Sequence, residues 1–388
     1  RDCLLSRGLG DVYKRQAIRS NNKRLTKLLL LSDKTLCQTI NKLTIYNGVV
    51  FMKTAYHEFY KDFKCIADKC PDSCCKEWDV VVDDDSYIKY KNADGAFGEK
   101  LRSVMTIDAD GDRIFTLNNN RCPFWNKDML CDIYINMGEN ALCETCKRFP
   151  RITLDYSQFQ EKILSLACPE ALRLMLKNGA MDKIITADNR EDAEPCDYDF
   201  SVMQLLLGAR QKIFAVLKNT DNDIFDCLNG IYQICLKVQS EFDGICYKSA
   251  VITEDSFIKE YGQTVNLLLQ LDIMTAEWKH LLTGASKYKP NKDDILKFRE
   301  YIHNYEYEYK NLIYYYIFRY FLNSIDSYDV TECFDLTALA VKSAYILQMY
   351  KFAEKGSLTA DDRHRIIGLY SKEVEHSYEN IEFLRDIK

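Results

Sequence analysis

Nine cysteines within a stretch of 104 residues are the part of this sequence best suited to chemistry. They are Cys65, Cys70, Cys74, Cys75, Cys122, Cys131, Cys143, Cys146 and Cys168. Loops that carry two close cysteines present both sulfurs to one centre, and thiolates bind zinc or iron strongly. This stretch contains no histidine. The spacing therefore predicts an all-sulfur metal centre rather than a Cys2His2 site.

The number of cysteines leaves the type of centre open. Four thiolates suffice for one zinc ion or one [4Fe–4S] cluster, so nine cysteines indicate either two sites or additional structural thiols. The bacterial ferredoxin spacing C-x2-C-x2-C-x3-C-P is absent. The three-cysteine radical-SAM spacing is absent too, because Cys70-x3-Cys74 is followed at once by Cys75. A set of free buried thiols is the remaining alternative. Disulfides are not expected in a chain without a secretion signal.

The first 51 residues do not resemble a protein element. Residues 1–16 are similar to a translated sequencing adapter, and residues 17–51 precede Met52, which we expect to be the native start. We therefore predict that residues 1–51 are non-native and disordered. A signal peptide is the alternative, but the apolar run at residues 28–31 is too short for one.

Composition excludes several classes of protein. Hydrophobic residues make up 47% of the chain and charged residues 28%, which is typical of a globular protein and excludes wholesale disorder. The net charge of −6 argues against a nucleic-acid partner. No apolar run approaches the roughly 20 residues of a membrane span. We expect a cytoplasmic protein without membrane contact, and the sequence does not indicate an oligomeric state.

The pattern changes near residue 195, where residues 188–195 are polar and predict a loop that ends in proline. Beyond this point apolar residues recur at three- and four-residue spacing, as in helices. Thr359 and Asp362 resemble a capping box, and an apolar stripe from Ile366 to Ile381 follows them. We predict a mainly α fold. Residues 52–195 form a cysteine-rich metal-binding and catalytic module with short irregular or strand elements, and residues 196–388 form an all-helical domain.

Several separated segments resemble the flagellin lysine-N-methylase family. Cys70-Pro-Asp-Ser-Cys74-Cys75 lies in the first of them, and Cys143-Glu-Thr-Cys146-Lys-Arg-Phe-Pro lies in the third. In order along the chain, the segments are residues 63–79, 122–134, 138–151, 166–171 and 370–380. The cysteine arrangement by itself is also similar to a broader group of zinc- or iron-chelating proteins.

The resemblance implies transfer of methyl groups from S-adenosylmethionine to surface lysines of flagellin. It also implies an iron–sulfur centre, a [4Fe–4S] cluster, held by some of the nine cysteines. Zinc is the alternative metal. The glycine-rich turn of a Rossmann-type nucleotide site is absent, so the methyl donor requires an unconventional site.

Lysine methylation is a displacement at the sulfonium methyl, and it requires a neutral amine and precise alignment. Among residues near the cysteines, Asp79, Tyr134 and Glu139 are the candidate catalytic residues. Arg148 and Arg151 are candidates for holding the carboxylate of the methyl donor or for offsetting the negative charge of a thiolate cluster. Trp78 offers an aromatic face to its sulfonium.

Two features outside the cysteine-rich stretch are expected to be structural. Tyr314, Tyr315 and Tyr316 lie in a segment with aromatic residues on nearly all sides, which favours a buried core helix over a pocket. His376 is able to act as a base, but a single histidine on a helix is more often structural.

Two functions remain possible at this point. The first is a methyltransferase that acts on flagellin lysines. The alternative is a non-catalytic zinc- or iron-chelating protein that delivers metal and uses its helical half as a partner-binding scaffold.

Overall fold

The computed structural model describes residues 45–46, 49–108, 111–181, 183–192 and 198–387. Most of the segment that we expect to be non-native, residues 1–44 and 47–48, lies outside the described residues. The first long strand begins at Val49, three residues before Met52.

Short strands are concentrated in the N-terminal half of the chain. In the described residues they are β1 (Ile45–Tyr46), β2 (Val49–His57), β3 (Met105–Ile107), β4 (Arg113–Phe115), β5 (Arg151–Asp155), β6 (Phe159–Leu164) and β7 (Ile184–Asp192). Strand β2 is central, because it pairs in parallel with β6 and antiparallel with both β1 and β7. Strand β5 pairs antiparallel with β6, and β3 with β4 forms a separate hairpin. This agrees with the predicted mixture of strand and irregular elements.

Strand β7 corrects one prediction. We expected a polar loop over residues 188–195, but the strand continues to Asp192 and pairs Asp188 with Lys53 of β2. Pairing between backbone groups does not require apolar side chains, so a polar composition alone did not exclude a strand. Residues 193–197 lie outside the described residues.

Helices make up most of the remaining structure. In the N-terminal half they are α1 (Asp84–Lys91), α2 (Gly95–Ser103), α3 (Asp132–Met137), α4 (Glu144–Arg148) and α5 (Pro169–Met175). In the C-terminal half they are α6 (Phe200–Lys218), α7 (Ile224–Asp243), α8 (Glu254–Lys259), α9 (Tyr261–Gln270), α10 (Ala276–Ala285), α11 (Lys292–His303), α12 (Glu306–Tyr320), α13 (Ser324–Ser327), α14 (Val330–Lys355), α15 (Ala360–Tyr370) and α16 (Tyr378–Asp386). The predicted mainly α fold with a helical C-terminal half is confirmed.

Side chains pack into two hydrophobic cores. The smaller core belongs to the cysteine-rich part and contains the fully buried Tyr90, Leu101 and Phe124. The larger core joins the five-stranded sheet to the C-terminal helices. From Phe159 to Ile163, strand β6 alternates buried and half-buried residues, as a strand covered on one face should. Packing thus unites the sheet with the helical half, although composition divides the chain near residue 195.

The C-terminal helical stripe contains an interruption that the sequence did not reveal. The capping box of Thr359 and Asp362 is confirmed at the start of α15. After Tyr370 the chain forms a π-helix, Ser371–Glu375, in which all five residues are buried, and α16 then begins after Ser377. π-Helical turns occur frequently at functional sites.

Among the described residues, helix α6 is long and apolar enough to span a membrane by length and composition. Its Leu206 and Ile213 are fully buried in the larger core. A core helix meets the same criteria, so α6 supports no membrane assignment.

Candidate active site between the cysteine loops and the π-helix

The nine clustered cysteines come together where the two cores meet. Cys75, Cys122, Cys131 and Cys143 lie in or against the smaller core, whereas Cys168 packs against the larger one at the start of α5. The backbone N–H of Cys122 donates to the carbonyl of Cys75 over 2.8 Å, which joins the first cysteine loop to the second. All nine are free thiols.

Electrostatic interactions link these thiols to one another. Cys74 interacts with Cys65, Cys75 and Cys168, and Cys146 interacts with Cys74, Cys75 and Cys143. Burial, together with the nearby Cys75, Cys131 and Cys143, raises the pKa of Cys122 to about 12. Burial likewise raises the pKa of Cys168 to about 12, with further contributions from Cys70 and Cys65. The nine thiols therefore form one electrostatically connected cluster.

Two thiol pairs are directly hydrogen-bonded. Cys74 donates to Cys75, which raises the pKa of Cys74 and lowers that of Cys75. Cys146 donates to Cys143 in the same way, and the pKa of Cys143 is lowered. A thiol with a lowered pKa forms a thiolate, the metal-binding species, more readily.

The chemistry of this donor set fits a thiolate-bound metal centre. Among the described residues, however, no group of three or more His, Cys, Asp or Glu side chains is arranged to hold a metal ion. Binding of a metal therefore requires the thiols to move from their pairwise hydrogen bonds to a common centre.

The scattered cysteines behave differently. Cys227, Cys235 and Cys333 are buried in the larger core, as expected for small apolar side chains, and Cys246 is exposed. Cys196 lies outside the described residues.

Trp78 connects the first cysteine loop to the π-helix region. Its indole N–H donates to the carbonyl of Cys74 over 2.7 Å, which fixes the ring beside the cysteines. The ring centroid lies 5.4 Å from that of Phe149 and 5.8 Å from that of His376. The predicted aromatic residue therefore lies between the cysteine loops and the C-terminal segment.

An acidic cluster beside Trp78 holds a buried lysine. Lys372 of the π-helix is only 2% exposed, and its Nζ lies 2.7 Å from Oε2 of Glu77 and 3.3 Å from Oδ2 of Asp72. The same Nζ lies 5.2 Å from the centre of the Trp78 ring, within cation–π range. Arg365 also donates to Asp72 over 2.7 Å. Burial disfavours the charged carboxylate, but Lys372 and Arg365 outweigh it and lower the pKa of Asp72 to about 2.

A second buried carboxylate lies on the same π-helix. Glu375 accepts hydrogen bonds from Tyr315, Tyr320 and Ser371 and pairs with Arg319. Burial opposes its ionisation, and the Arg319 guanidinium reverses that effect and lowers the pKa of Glu375. Through its hydrogen bond to Glu375, Tyr315 helps to hold the π-helix in place.

His376 and the tyrosine cluster occupy core positions. Nε2 of His376 lies 2.6 Å from Oγ of Ser165. Burial and Arg319 lower the pKa of His376 to about 4, so the imidazole is neutral at pH 7. Tyr314, Tyr315 and Tyr316 are all buried in the larger core, which confirms their expected place in a core helix.

The other predicted site residues lie at the surface or at its edge. Tyr134 is 52% exposed on α3, and Glu139 is exposed just after it. Asp79 is half-buried beside Trp78. Arg148 pairs with Glu144 over 3.0 Å at the surface, while Arg151 donates to the carbonyl of Phe63 over 3.4 Å. Their proposed roles stay predictions.

The residues that sequence reasoning missed are those that join distant segments. Asp72 and Glu77 lie inside the first cysteine motif, and Lys372 and Glu375 lie inside residues 370–380, a segment that carries the family resemblance. That segment was the available signal, but nothing in the sequence indicated that the two segments meet.

Comparison with known proteins identifies several relatives. Residues 181–388 match a family model described as the FliB lysine N-methylase C-terminal domain. The chain is 30% identical over 132 residues to the flagellar biosynthetic protein FliU of Salmonella muenchen, covering 31% of this chain and 75% of that protein. It is equally similar, over 132 residues, to proteins named lysine-N-methylase from Salmonella choleraesuis and Salmonella typhimurium. The match spans 31% of each of these two longer proteins. No solved structure matches.

Proposed function

The chain belongs to the FliB lysine N-methylase family, and we propose that it is a protein-lysine N-methyltransferase that uses S-adenosylmethionine and acts on flagellin. One observation carries this proposal: the family match over residues 181–388 includes the π-helix, whose Lys372 contacts Asp72 and Glu77 in the first cysteine motif. Relatives named lysine-N-methylase support the reaction type, and a relative named flagellar biosynthetic protein supports a flagellar substrate. The proposed location is the cytoplasm, where thiols remain reduced.

The proposed reaction forms one bond and breaks another. The neutral ε-amine of a flagellin lysine attacks the sulfonium methyl, the nitrogen–carbon bond forms, and the sulfur–carbon bond breaks to release S-adenosylhomocysteine. The nitrogen then loses its remaining extra proton. A free lysine has a pKa of about 10.4, so the site must promote loss of the first proton by desolvation or by a nearby base.

The residues of this chain supply a setting for that reaction. Trp78 presents an aromatic face that suits a sulfonium or an ammonium group. Arg148 and Arg151 would hold the donor carboxylate by charge-assisted hydrogen bonds. Asp79, Tyr134 and Glu139 are the proposed residues that orient the amine or accept its proton.

The clustered cysteines would hold an iron–sulfur cluster, with zinc as the alternative metal. Their free thiols and close grouping support this, and two of them already have lowered pKa values. A bound cluster would supply redox-active iron and would cross-link the loops that carry its ligands. Metal delivery without catalysis is the competing function. The clustered thiols by themselves do not distinguish the two, because a methyltransferase with a metal centre and a metal-delivery protein would both need them.

One experiment separates these functions. The full chain, purified without oxygen, is mixed with S-adenosylmethionine and flagellin, and the flagellin is weighed by intact-mass spectrometry. We expect additions of about 14 Da per methyl group on lysine. If the metal-loaded chain leaves flagellin unchanged, the methyltransferase proposal is wrong and the metal-delivery function is favoured. Metal analysis of the same sample distinguishes iron with inorganic sulfide from zinc.

A further inference from the structure

A fully buried lysine is unusual, because an ammonium group is seldom removed from water unless it is paired. Lys372 meets this requirement through Glu77 on one side and Asp72 on the other, with the Trp78 ring beside them. The three groups that surround its ammonium all come from the first cysteine loop. They are here called the ammonium seat: Asp72, Glu77 and Trp78.

The ammonium seat is held in a defined shape. Glu77 has a φ of +74°, a left-handed conformation that is uncommon for a residue other than glycine. Its backbone N–H donates to the carbonyl of Asn120 over 2.7 Å, which holds the strained turn. Trp78 is fixed through the carbonyl of Cys74. Backbone strain of this kind is concentrated at binding sites and active sites.

The charges around the seat require one ammonium group. The connected ion pairs join three carboxylates to three cations: Asp72, Glu77 and Glu277 to Lys76, Arg365 and Lys372. If the Lys372 side chain leaves, one negative charge stays uncompensated in a largely buried place. An ammonium group on a flexible aliphatic chain restores the balance and fits the space that Lys372 fills.

We propose that the ammonium seat is the recognition site for the ε-ammonium group of the acceptor lysine, and that Lys372 occupies it in the resting protein. This inference rests on the proposed function, because it assigns the seat to the lysine that becomes methylated. An incoming lysine makes the same contacts with Asp72, Glu77 and Trp78. It displaces the side chain of Lys372, which reaches the seat from the π-helix. The acceptor is then bound in its charged form beside Trp78, whose indole N–H donates to the carbonyl of Cys74. The ammonium must lose a proton before the amine can attack the methyl donor.

Displacement is tested on the native full chain by amine acetylation, without any methyl donor. The protein is treated briefly with an acetylating reagent, digested, and analysed by mass spectrometry, with and without excess N-α-acetyl-lysine methylamide. We expect Lys372 to be acetylated slowly alone and several-fold faster with the lysine amide, relative to the exposed Lys297 in the same sample. The norleucine analogue, which has no amine, should have no effect. Unchanged acetylation of Lys372 overturns the proposal.

A variant provides a second test. In Lys372→Ala the seat is vacated, so the lysine amide should raise the melting temperature in a saturable way, whereas the norleucine amide should not. The double variant Lys372→Ala, Glu77→Gln should lose this response, and Lys297→Ala should never show it. Equal responses to both amides in Lys372→Ala contradict the proposal. If that variant does not fold, acetylation of the native protein decides.

Failure of this inference differs from failure of the proposed function. Both measurements are made without S-adenosylmethionine, so they report ammonium binding only. Absence of methyl transfer with normal displacement of Lys372 would count against the enzyme activity alone. Methyl transfer without displacement would count against the ammonium seat alone.

Discussion

The ammonium group of Lys372 lies 2.7 Å from the carboxylate of Glu77, a residue 295 positions earlier in the chain. This pair joins the C-terminal π-helix to the first cysteine loop across the junction of the two cores. Because Lys372 is buried, loss of this contact would leave a charged group without a partner away from water and would destabilise the protein. An exposed ion pair contributes little to stability. The two most informative segments of the sequence therefore form one site.

The ion pair between Arg210 and Glu161 should be essential for stability. Arg210 donates to both carboxylate oxygens of Glu161, over 2.8 and 2.5 Å, and both side chains are buried. We expect Glu161→Gln to lower the free energy of unfolding by about 3–5 kcal/mol, because Arg210 then remains buried without a charged partner. Denaturant titration measures this. The control Asp293→Asn, which removes an exposed partner of Lys297, should change stability by less than about 1 kcal/mol.

His57 should make the protein sensitive to acid. It is fully buried among Phe59, Tyr314 and Phe318, and neither ring nitrogen has a hydrogen-bond partner in the described residues. Burial, with Arg210 and Lys218, lowers its pKa from 6.5 to about 3. Between pH 6.5 and 3, His57 therefore takes up a proton when the protein unfolds. Its contribution to the free energy of unfolding is greatest above pH 6.5 and is lost as the pH decreases towards 3.

The substitution His57→Phe removes this proton uptake. The difference in unfolding free energy between the native protein and the variant should change by up to about 1.4 kcal/mol per pH unit between pH 6.5 and 3, in favour of the variant at low pH. Denaturant titrations at several pH values measure it. The exposed His303→Gln is the matched control and should show little change. A pH-independent difference for His57→Phe contradicts the assignment.

The cysteine pairs should be required for the proposed metal centre. Cys74→Ser and Cys146→Ser each remove one thiol of a hydrogen-bonded pair, so each should reduce the bound metal and bleach the visible absorption of an iron–sulfur cluster. Metal analysis and absorption spectra of protein purified without oxygen measure both. Cys246→Ser, at an exposed single cysteine, is the control and should retain the full metal content. Normal metal content in both test variants would remove these pairs from the ligand set.

Substitution of Arg151 should weaken binding of the methyl donor rather than binding of the protein substrate. If it holds the donor carboxylate, Arg151→Ala should raise the KM for S-adenosylmethionine by about 10- to 100-fold, the loss expected for one charge-assisted hydrogen bond. The KM for flagellin should change little. Arg173→Ala, which removes an exposed partner of Glu170, is the control. An unchanged donor KM in Arg151→Ala would reject this role.

Sequence patterns predicted the parts of the fold that depend on local order. The capping box at Thr359 and the buried helix around Tyr315 follow from spacing and composition, and the structure confirms both. The continuation of β7 to Asp192 does not follow from its polar residues, because it depends on pairing with β2. Local sequence patterns therefore predicted the elements that depend on neighbouring side chains, and missed the strand residues that depend on pairing with a distant strand.

The site shows the same division. Local sequence made the clustered cysteines and Trp78 candidates for one half of it. The other half, Lys372 and Glu375, lies in a π-helix that breaks the helical stripe, and apolar periodicity does not distinguish such a turn from a regular helix. The contact of Lys372 with Asp72 and Glu77 depends on tertiary packing, which no spacing rule reveals.

Transfer of an isotopically labelled methyl group tests the central claim most directly. The full chain is incubated without oxygen with flagellin and S-adenosylmethionine that carries a trideuterated methyl group, and flagellin peptides are sequenced by mass spectrometry. We expect the deuterated methyl group on the Nε of lysine residues, in amounts that fall strongly for Glu77→Gln and remain unchanged for Lys297→Ala. Metal-loaded protein that leaves every flagellin lysine unlabelled would contradict it.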